Sequence, residues 1–178
     1  QLLTHTSGLL DYEDLMTEPY AGQIRDAGVL ALLEQEDRLQ FPAGSAYRYS
    51  NSGYALLALV VERASGMSFP DFLRSRIFLP LGMHDTLAFV DGGQAVSNRA
   101  GGYSAVDGNW QRSDQSSTSA VLGDGGIYSN THDLARWDAA LAPHKGLKVV
   151  TYHRSWPNFT ERFGLDVLGY VEPRPGIP

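Results

Sequence analysis

The chain has 178 residues, enough for one domain with a substantial core. Its apolar fraction of 43% and charged fraction of 19% are typical of a soluble globular protein, and the net charge of −6 argues against nucleic acid or an anionic membrane as partner. Because there is no cysteine, disulfides and thiolate chemistry are excluded. The apolar run Tyr54–Val61 is too short to cross a bilayer, so no membrane segment is expected in this chain.

The first half of the chain is predicted to hold two helices separated by a turn segment. Residues Gln1–Gly8 are typical of the end of a helix, and irregular loop is expected to follow up to residue 22. Because the start of that helix is missing, we expect the chain to be a piece of a longer protein. The next predicted elements are a helix over Ile24–Glu36, a Pro-Gly turn segment over Phe41–Ser52 and a helix over Gly53–Ala64 that ends at Gly66.

The second half is predicted to combine two helices with glycine-rich loops. Ser68 is a favourable N-cap for a helix that continues to Ile77. The remaining predicted elements are a tight turn at Pro80–Met83, loops with short strands over residues 85–128, a helix over Asp133–Leu141 capped by Thr131 and ended by Pro143, and strands over Leu147–Tyr152 and Arg162–Val171. The fold class is therefore mainly α, or α+β overall, with few short strands. Such a layout is typical of the helical half of a two-part molecule.

The tripeptide Tyr49-Ser50-Asn51 is the most informative part of the sequence. On a short extended link, residues i and i+2 point the same way, so Tyr49 and Asn51 are expected to face one cavity while Ser50 points the other way. A phenol can carry a proton if a nearby cation lowers its pKa, and a carboxamide can both donate to and accept from a substrate. Tyr49 is therefore the candidate acid-base side chain and Asn51 a candidate substrate ligand.

Four blocks of the sequence accompany this motif. They are Leu2-Leu-Thr-His-Thr-Ser-Gly-Leu9; Phe41 to Tyr54; Leu56 through Gly66 to Pro80-Leu-Gly-Met-His-Asp-Thr86; and Asn98-Arg-Ala-Gly-Gly-Tyr103 with Gly123-Asp-Gly-Gly-Ile-Tyr-Ser-Asn-Thr-His-Asp-Leu-Ala-Arg-Trp137. In this order they resemble the serine β-lactamase and penicillin-binding-protein superfamily, in its class C, DD-peptidase and esterase branch. The resemblance covers residues 1–142, which it assigns to the helical domain of that fold. Residues 143–178 match poorly and are expected to begin the return toward a sheet domain.

The resemblance also implies a set of roles. A serine near the start of a helix would attack an ester or amide carbonyl, and the lysine of a Ser-x-x-Lys motif would lie beside it, because i and i+3 share a helix face. Tyr49 would act as general base for the serine and as acid toward the leaving group. Asn51 would hold the substrate amide, and Gly125 and Gly126 would let the backbone approach the pocket. A Lys-Thr-Gly or His-x-Gly strand would line the pocket beside an oxyanion hole.

Two of these parts are missing from the sequence. No Ser-x-x-Lys occurs in the 178 residues, since Lys145 and Lys148 follow Ala142 and Lys145 by three positions. The segment His144-Lys-Gly146 formally matches His-x-Gly, but it comes directly after a helix and Pro143, where a turn rather than a pocket strand is expected. The chain is therefore predicted to be a fragment that lacks its nucleophile.

Simpler structural roles compete with these functional ones. Tyr49 could be a buried aromatic residue whose hydroxyl caps a turn, and Asn51 could simply be the N-cap of the following helix. The pair Gly125-Gly126 could mark only a turn. His5, His84 and His132 have no second histidine or acid at metal-ligand spacing apart from weak pairings such as His132-Asp133, so neither a metal site nor a cofactor is predicted.

The predicted function is that of a fragment of a serine hydrolase acting on an amide or ester, such as a β-lactam, a D-amino peptide or a simple ester. The substrate is expected to be a small molecule or peptide, and the isolated chain is expected to be inactive. Two alternatives stay open: a non-catalytic binding or scaffolding module derived from the same fold, and a helical interaction domain in which the tripeptide is only a cap. The resemblance suggests a periplasmic or extracellular location, and the sequence leaves the oligomeric state undetermined.

Overall fold

Residues 1–17, 22–90, 95–151, 160–161 and 163–170 are described in a computed structural model. The chain divides into two units, each built from two separate stretches. Unit 1 comprises Gln1–Arg74 and Leu87–Tyr128, and unit 2 comprises Ser75–Thr86 and Ser129–Pro178. Within the described ranges, none of the helices combines the length and apolar character needed to cross a membrane.

The helices of unit 1 begin and end at residues with clear local chemistry. After a 3-10 turn at Leu2–Thr4, they are α1 (Tyr12–Leu15), α2 (Asp26–Leu33), α3 (Asn51–Ser65) and α4 (Phe69–Leu73). The side chain of Asp11 caps α1 by accepting the N–H of Glu13, and Ser68 caps α4 by accepting the N–H of Asp71. Gly66 ends α3 in the left-handed conformation, with φ 69°.

The core of unit 1 lies where α1, α2 and α3 meet the loop that follows residue 116. Its buried members are Tyr12, Ile24, Val29, Ala55 and Val121. Asp26 at the start of α2 fixes this loop to the helices, because its carboxylate accepts the N–H groups of Leu122 and Gly123 at 3.0 and 2.9 Å. The loop is thereby held against α2, which packs on α3, the helix that begins at Asn51.

Short antiparallel strands complete unit 1. The strands β1 (Leu87–Ala88) and β4 (Ile127–Tyr128) form one pair, and β2 (Tyr103–Val106) and β3 (Asn109–Arg112) form a hairpin. The hairpin turns at Asp107-Gly108, where φ is 50° and 76°, the positive values that a tight hairpin turn needs.

The described residues of unit 2 include the helix α5 and a parallel strand pair. A π-helical turn at Arg74–Phe78 continues α4 into this unit and is followed by α5 (Thr131–Leu141), a 3-10 turn (Ala142–His144), β5 (Lys148–Thr151) and β6 (Asp166–Tyr170). Asp133 on α5 is fully buried and accepts hydrogen bonds from Thr86 and Asp85 N–H at 2.8 Å and from Arg136 at 2.6 Å. Although burial acts in the opposite direction, these donors hold the pKa of Asp133 below its usual range.

Most predicted elements are present, with changes at their ends. The helix expected over Ile24–Glu36 is shorter, and the cap of α5 is Asn130 rather than Thr131, because the Asn130 side chain accepts the N–H of Asp133. The loop expected before residue 22 contains the unpredicted α1. The strand predicted over Leu147–Tyr152 is present as β5, and β6 lies within the predicted Arg162–Val171.

The fold class is α+β. In the part of the chain that the structure describes, helices predominate, but six strands pair into three two-stranded sheets, so "mainly α" describes it only loosely. His144 lies in a 3-10 turn and Gly146 has φ 81°, so this segment is a turn, as predicted, and not a pocket strand. The ends of the two last predicted strands, Tyr152, Arg162 and Val171, lie outside the described residues.

Candidate functional site

Tyr49 and Asn51 lie side by side where the turn segment enters α3. The phenol of Tyr49 donates a hydrogen bond of 2.6 Å to the carboxamide oxygen of Asn51. The Tyr49 side chain is 50% exposed, and Asn51 is half-buried. The two polar groups therefore face the same way and are accessible, as the two-residue spacing predicts.

Ser50 points away from this pair. It is 4% exposed, and its hydroxyl donates to the carbonyl of Leu10 at 3.3 Å. Ser50 also occupies the N-cap position of α3, and Asn51 is already the first helical residue. Asn51 is therefore not the helix cap, and its carboxamide oxygen accepts a hydrogen bond from Tyr49 instead. The alternative in which Asn51 serves only as the cap is wrong.

Asp11 and Tyr12 form hydrogen bonds with the first two residues of α3, Asn51 and Ser52. The carboxylate of Asp11 accepts the N–H of Asn51 at 2.9 Å, and the N–H of Tyr12 donates to the hydroxyl of Ser52 at 2.8 Å. A negative charge at the first turn of α3 is also favoured by the helix dipole. These two contacts fix the direction in which α3 starts.

His5 lies against the tyrosines of the turn segment. Its ring is 4.6 Å from the ring of Tyr49 and 5.2 Å from that of Tyr54, measured between centroids. The ring is 8% exposed, and burial lowers the pKa of His5 below its ordinary value, outweighing the Ser50 carbonyl and the carboxylate of Asp11, which act in the opposite direction. The neutral form of the imidazole is therefore favoured.

Gly125 and Gly126 lie in the loop that connects the unit 1 core to β4. A Cβ atom at Gly125 would meet open space, whereas Gly126 has φ 76° and its carbonyl accepts the N–H of Phe89 at 2.8 Å. The glycines are not part of the Tyr49–Asn51 hydrogen bond. Their chain neighbour Asp124 accepts the Tyr12 phenol at 2.9 Å, and the N–H of Tyr12 donates to Ser52, the residue after Asn51.

Asp124 and Tyr12 are both electrostatically perturbed. Burial, together with the carboxylates of Asp26, Glu13 and Asp11, raises the pKa of Asp124 to about 6, although the hydrogen bond from Tyr12 acts in the opposite direction. Burial and the neighbouring charge of Asp124 raise the pKa of Tyr12 well above that of an ordinary phenol. Tyr12 therefore remains a hydrogen-bond donor and cannot be the proton carrier of the site.

A cleft of about 610 Å³ lies beside the turn segment. Its lining residues are Leu10, Asp14, Leu15, Arg38, Leu39, Gln40, Phe41, Tyr47 and Arg48. Tyr49 and Asn51 do not line it, so the cleft is a neighbour of the motif rather than its binding pocket. Among the described residues, no group of three His, Asp or Glu side chains is placed to hold a metal ion.

The sequence predicted Tyr49 and Asn51 as site residues but not the residues that hold them in place. His5, Asp11, Tyr12 and Asp124 were not predicted to act in the site, although His5 lies in the first of the four blocks. Their contacts with the motif join residues 40 to 45 positions apart, and the Tyr12–Asp124 contact spans 112 positions. The only local signal was an acidic residue just before Tyr12, which marks a helix cap without revealing its distant partner.

Comparison with known proteins gives a consistent result. The model of the Beta-lactamase family matches residues 1–171. Penicillin-binding protein 4* of Bacillus subtilis (strain 168) is 32% identical over 154 residues, which are 79% of this chain and 34% of that protein. The D-aminopeptidase of Brucella anthropi is 30% identical over 158 residues, which are 86% of this chain and 29% of that protein.

Solved structures show the same similarity. A penicillin binding protein from Bacillus halodurans is 31% identical with a TM-score of 0.66, over 80% of this chain and 45% of that one. The D-amino acid amidase from Ochrobactrum anthropi SV3, complexed with L-phenylalanine amide, is 31% identical with a TM-score of 0.62, over 79% of this chain and 41% of that one. The chain spans about a third of the length of the curated relatives it matches.

Proposed function

Because the chain belongs to the beta-lactamase family, we propose that it is part of a serine hydrolase that cleaves an amide or ester through an acyl-serine intermediate. The observation that carries this proposal is the 2.6 Å hydrogen bond between the accessible phenol of Tyr49 and the carboxamide of Asn51. This bond holds a proton-carrying group and an amide-binding group at one place on the surface. General base catalysis and substrate binding need both groups close to the same carbonyl.

In this proposal the serine and lysine come from a part of the protein outside these 178 residues. The deprotonated Tyr49 takes the proton of the serine hydroxyl while the serine oxygen bonds to the substrate carbonyl carbon. It then gives that proton to the leaving nitrogen or oxygen as the substrate bond breaks. The carboxamide of Asn51 holds the substrate amide, because it can donate and accept at once. Gly125 and Gly126 contribute backbone to the wall of the pocket.

The proposed substrate is a small molecule or peptide with a hydrolysable amide or ester bond. Support comes from the relatives, among which are proteins named D-aminopeptidase and D-alanyl-D-alanine-carboxypeptidase/endopeptidase. We also propose the division of the chain expected from its sequence, with residues 1–142 as the helical domain and residues 143–178 as the start of the return toward a sheet domain. The position of the last of the four blocks, which ends at Trp137, supports this boundary.

The test uses the full-length protein that contains this chain. Replacement of Tyr49 by Phe removes only the hydroxyl, and we expect it to lower kcat roughly 10²- to 10⁴-fold against nitrocefin, p-nitrophenyl acetate or a D-amino acid amide. Tyr103→Phe is the matched control, because Tyr103 is 60% exposed on the β2–β3 hairpin. Turnover that survives Tyr49→Phe would remove Tyr49 from the reaction and overturn the proposal.

A second candidate is a binding or scaffolding module that has lost the chemistry: a Ser-x-x-Lys in the sequence before Gln1 would support the enzyme, and its absence there would support the module. Fluorescent penicillin distinguishes the two, since an acyl-serine enzyme forms a covalent adduct that survives denaturing electrophoresis. A labelled band in the full-length protein supports the hydrolase. Saturable, reversible binding of a peptidoglycan peptide without a labelled band supports the module.

A further inference from the structure

We infer that His5 is a positioning residue for Tyr49, whose ring it supports and whose two chain neighbours it holds by hydrogen bonds. The inference deepens the proposed function and rests on it, because it concerns the orientation of the proposed general base. His5 is not required to touch the substrate. Its effect would be to keep the phenol within reach of Asn51.

The first argument is ring packing. The imidazole of His5 lies 4.6 Å from the Tyr49 ring at an interplanar angle of 36°, so the two rings pack against each other in a tilted arrangement. The same ring contacts Tyr54 at 5.2 Å and meets the edge of Tyr47 at 6.0 Å and 86°. Tyr54 lies on α3, and its phenol donates to the carbonyl of Leu3 at 3.1 Å. The contacts with Tyr47 and Tyr54 hold the His5 ring in place, and the ring of the half-exposed Tyr49 packs against it.

The second argument is that hydrogen bonds from His5 reach both residues adjacent to Tyr49. The N–H of Arg48 donates to the carbonyl of His5 at 3.1 Å. The Nδ1 atom of His5 lies 3.3 Å from the Ser50 nitrogen and 3.2 Å from the Ser50 carbonyl oxygen, so it can accept from the first or donate to the second according to its tautomer. The backbone on either side of Tyr49 is therefore held by one residue 43 to 45 positions earlier.

The third argument is the backbone conformation of His5. Its φ of 52° and ψ of 33° lie in the left-handed region, which costs a residue other than glycine free energy. Glycine would avoid that cost but has no ring, whereas asparagine tolerates the conformation and still lacks the ring. Histidine is itself one of the residues other than glycine that adopt this conformation, and it adds the ring that glycine and asparagine lack.

The neutral state of His5 excludes a role as the cation beside Tyr49. Its ring faces Tyr47, Tyr49 and Tyr54, with the carboxylate of Asp11 as the nearby negative charge. Since burial favours the neutral imidazole, His5 does not replace the lysine as the cation that would lower the proton affinity of Tyr49. Packing and hydrogen bonding remain as its means of action.

Two variants of the full-length protein test these contributions. His5→Asn keeps a polar atom near the position of Nδ1 and tolerates the left-handed backbone, but it removes the ring that packs against Tyr49. His5→Phe keeps a ring and removes the hydrogen bonds to Ser50. We expect both to lower kcat roughly ten- to hundredfold with KM within twofold, because misplacement of a reacting group by about 1 Å has this effect.

A second readout does not depend on activity. With tyrosines labelled by ¹³C in the ring, the Tyr49 signal is assigned by its loss in Tyr49→Phe. We expect it to shift in His5→Asn, since the neighbouring ring current is removed. Exposed His84→Asn is the control for a histidine change, and Ser68→Ala, which removes the cap of α4, is the control for a comparable loss of stability of about 1 kcal/mol.

The outcomes separate the two ideas. If Tyr49→Phe retains turnover, the proposed function fails whatever His5 does. If Tyr49→Phe loses turnover while His5→Asn keeps both its kcat and its Tyr49 signal, the inference about His5 alone is wrong. If kcat falls in His5→Asn no more than it falls in Ser68→Ala, His5 has only a structural role, which also overturns the inference.

Discussion

The protonation of Asp124 is linked to folding at mildly acidic pH. Burial raises its pKa from 3.8 to about 6, and the Tyr12 phenol donates to it. The folded protein therefore binds the Asp124 proton more tightly than the unfolded chain does. The resulting stabilisation is fully present below pH 3.8 and is lost as the pH rises through 6.

We predict that Asp124→Asn removes this part of the pH dependence. Asparagine resembles the protonated acid, and its side-chain oxygen can still accept the hydrogen bond from Tyr12. The free energy of unfolding of the variant minus that of the parent should therefore increase as the pH rises from 4.5 to 7. Urea denaturation at pH 4.5, 5.5 and 7.0 measures the difference, with the exposed Asp37→Asn as control. Parallel curves for the parent and Asp124→Asn would contradict the prediction.

At the same scale, the sequence predicted the exposed half of the site but not its supports. Alternation along an extended link determines that Tyr49 and Asn51 share a face, and this information is local. His5 required a left-handed backbone and partners 45 positions away, neither of which has a periodic signature. Asp11 has a visible role as the cap of α1, but its second bond, to the N–H of Asn51, depends on the packing of α1 against α3.

At the scale of elements, the loop at Gly123 lies directly against the backbone of α3. A Cβ atom at Gly123 would overlap the carbonyl of Tyr54 and approach the Cα of Ala55 to 2.8 Å. Both obstacles are backbone atoms of a helix, which cannot move aside as a flexible side chain can. The absence of a side chain at residue 123 therefore allows the loop to lie directly on α3.

We predict that Gly123→Ala lowers the free energy of unfolding by at least about 2 kcal/mol, because the loop must shift away from α3. Gly125→Ala is the matched control two residues away, where a Cβ atom meets nothing within 4 Å and φ is not positive. Urea denaturation of both variants measures the effect. Equal stability of the two would show that the loop can leave α3 at no cost.

The predicted helices differ from the observed ones in ways that have local causes. The four residues of α1 are too few to establish a hydrophobic period, so only a possible cap indicates this helix in the sequence. For α5, Asn130 and Thr131 are both good caps, and the choice between them depends on which side chain reaches the N–H of Asp133. The long apolar pattern of α3 identified that helix to within two residues at its start and one at its end.

For the molecule as a whole, we predict that the isolated 178-residue chain does not turn over nitrocefin or a p-nitrophenyl ester. It has the proposed base and substrate clamp but contains no Ser-x-x-Lys sequence. Comparison with the full-length protein at equal concentration measures this directly, and circular dichroism checks that the isolated chain is folded. Turnover by the isolated chain that persists after Tyr49→Phe would contradict both the prediction and the role of Tyr49.

The order of the four blocks predicted the family and the fold class, whereas the division into units could not be obtained from sequence. Each unit is assembled from two stretches, so a boundary in space does not coincide with a single boundary in the chain. Hydrophobic periodicity describes neighbours along the chain. It contains no information on which distant stretch completes a given core.

The discontinuity of unit 1 has a consequence for its biosynthesis. Tyr12 and Asp26 contact partners 112 and 97 positions later, and Val121 is one of the buried members of the core. The helices α1, α2 and α3 therefore leave the ribosome long before the residues that cover them. Until that later stretch emerges, the buried face around Tyr12 is open to water and to chaperones, so most of this chain must be translated before its first core can close.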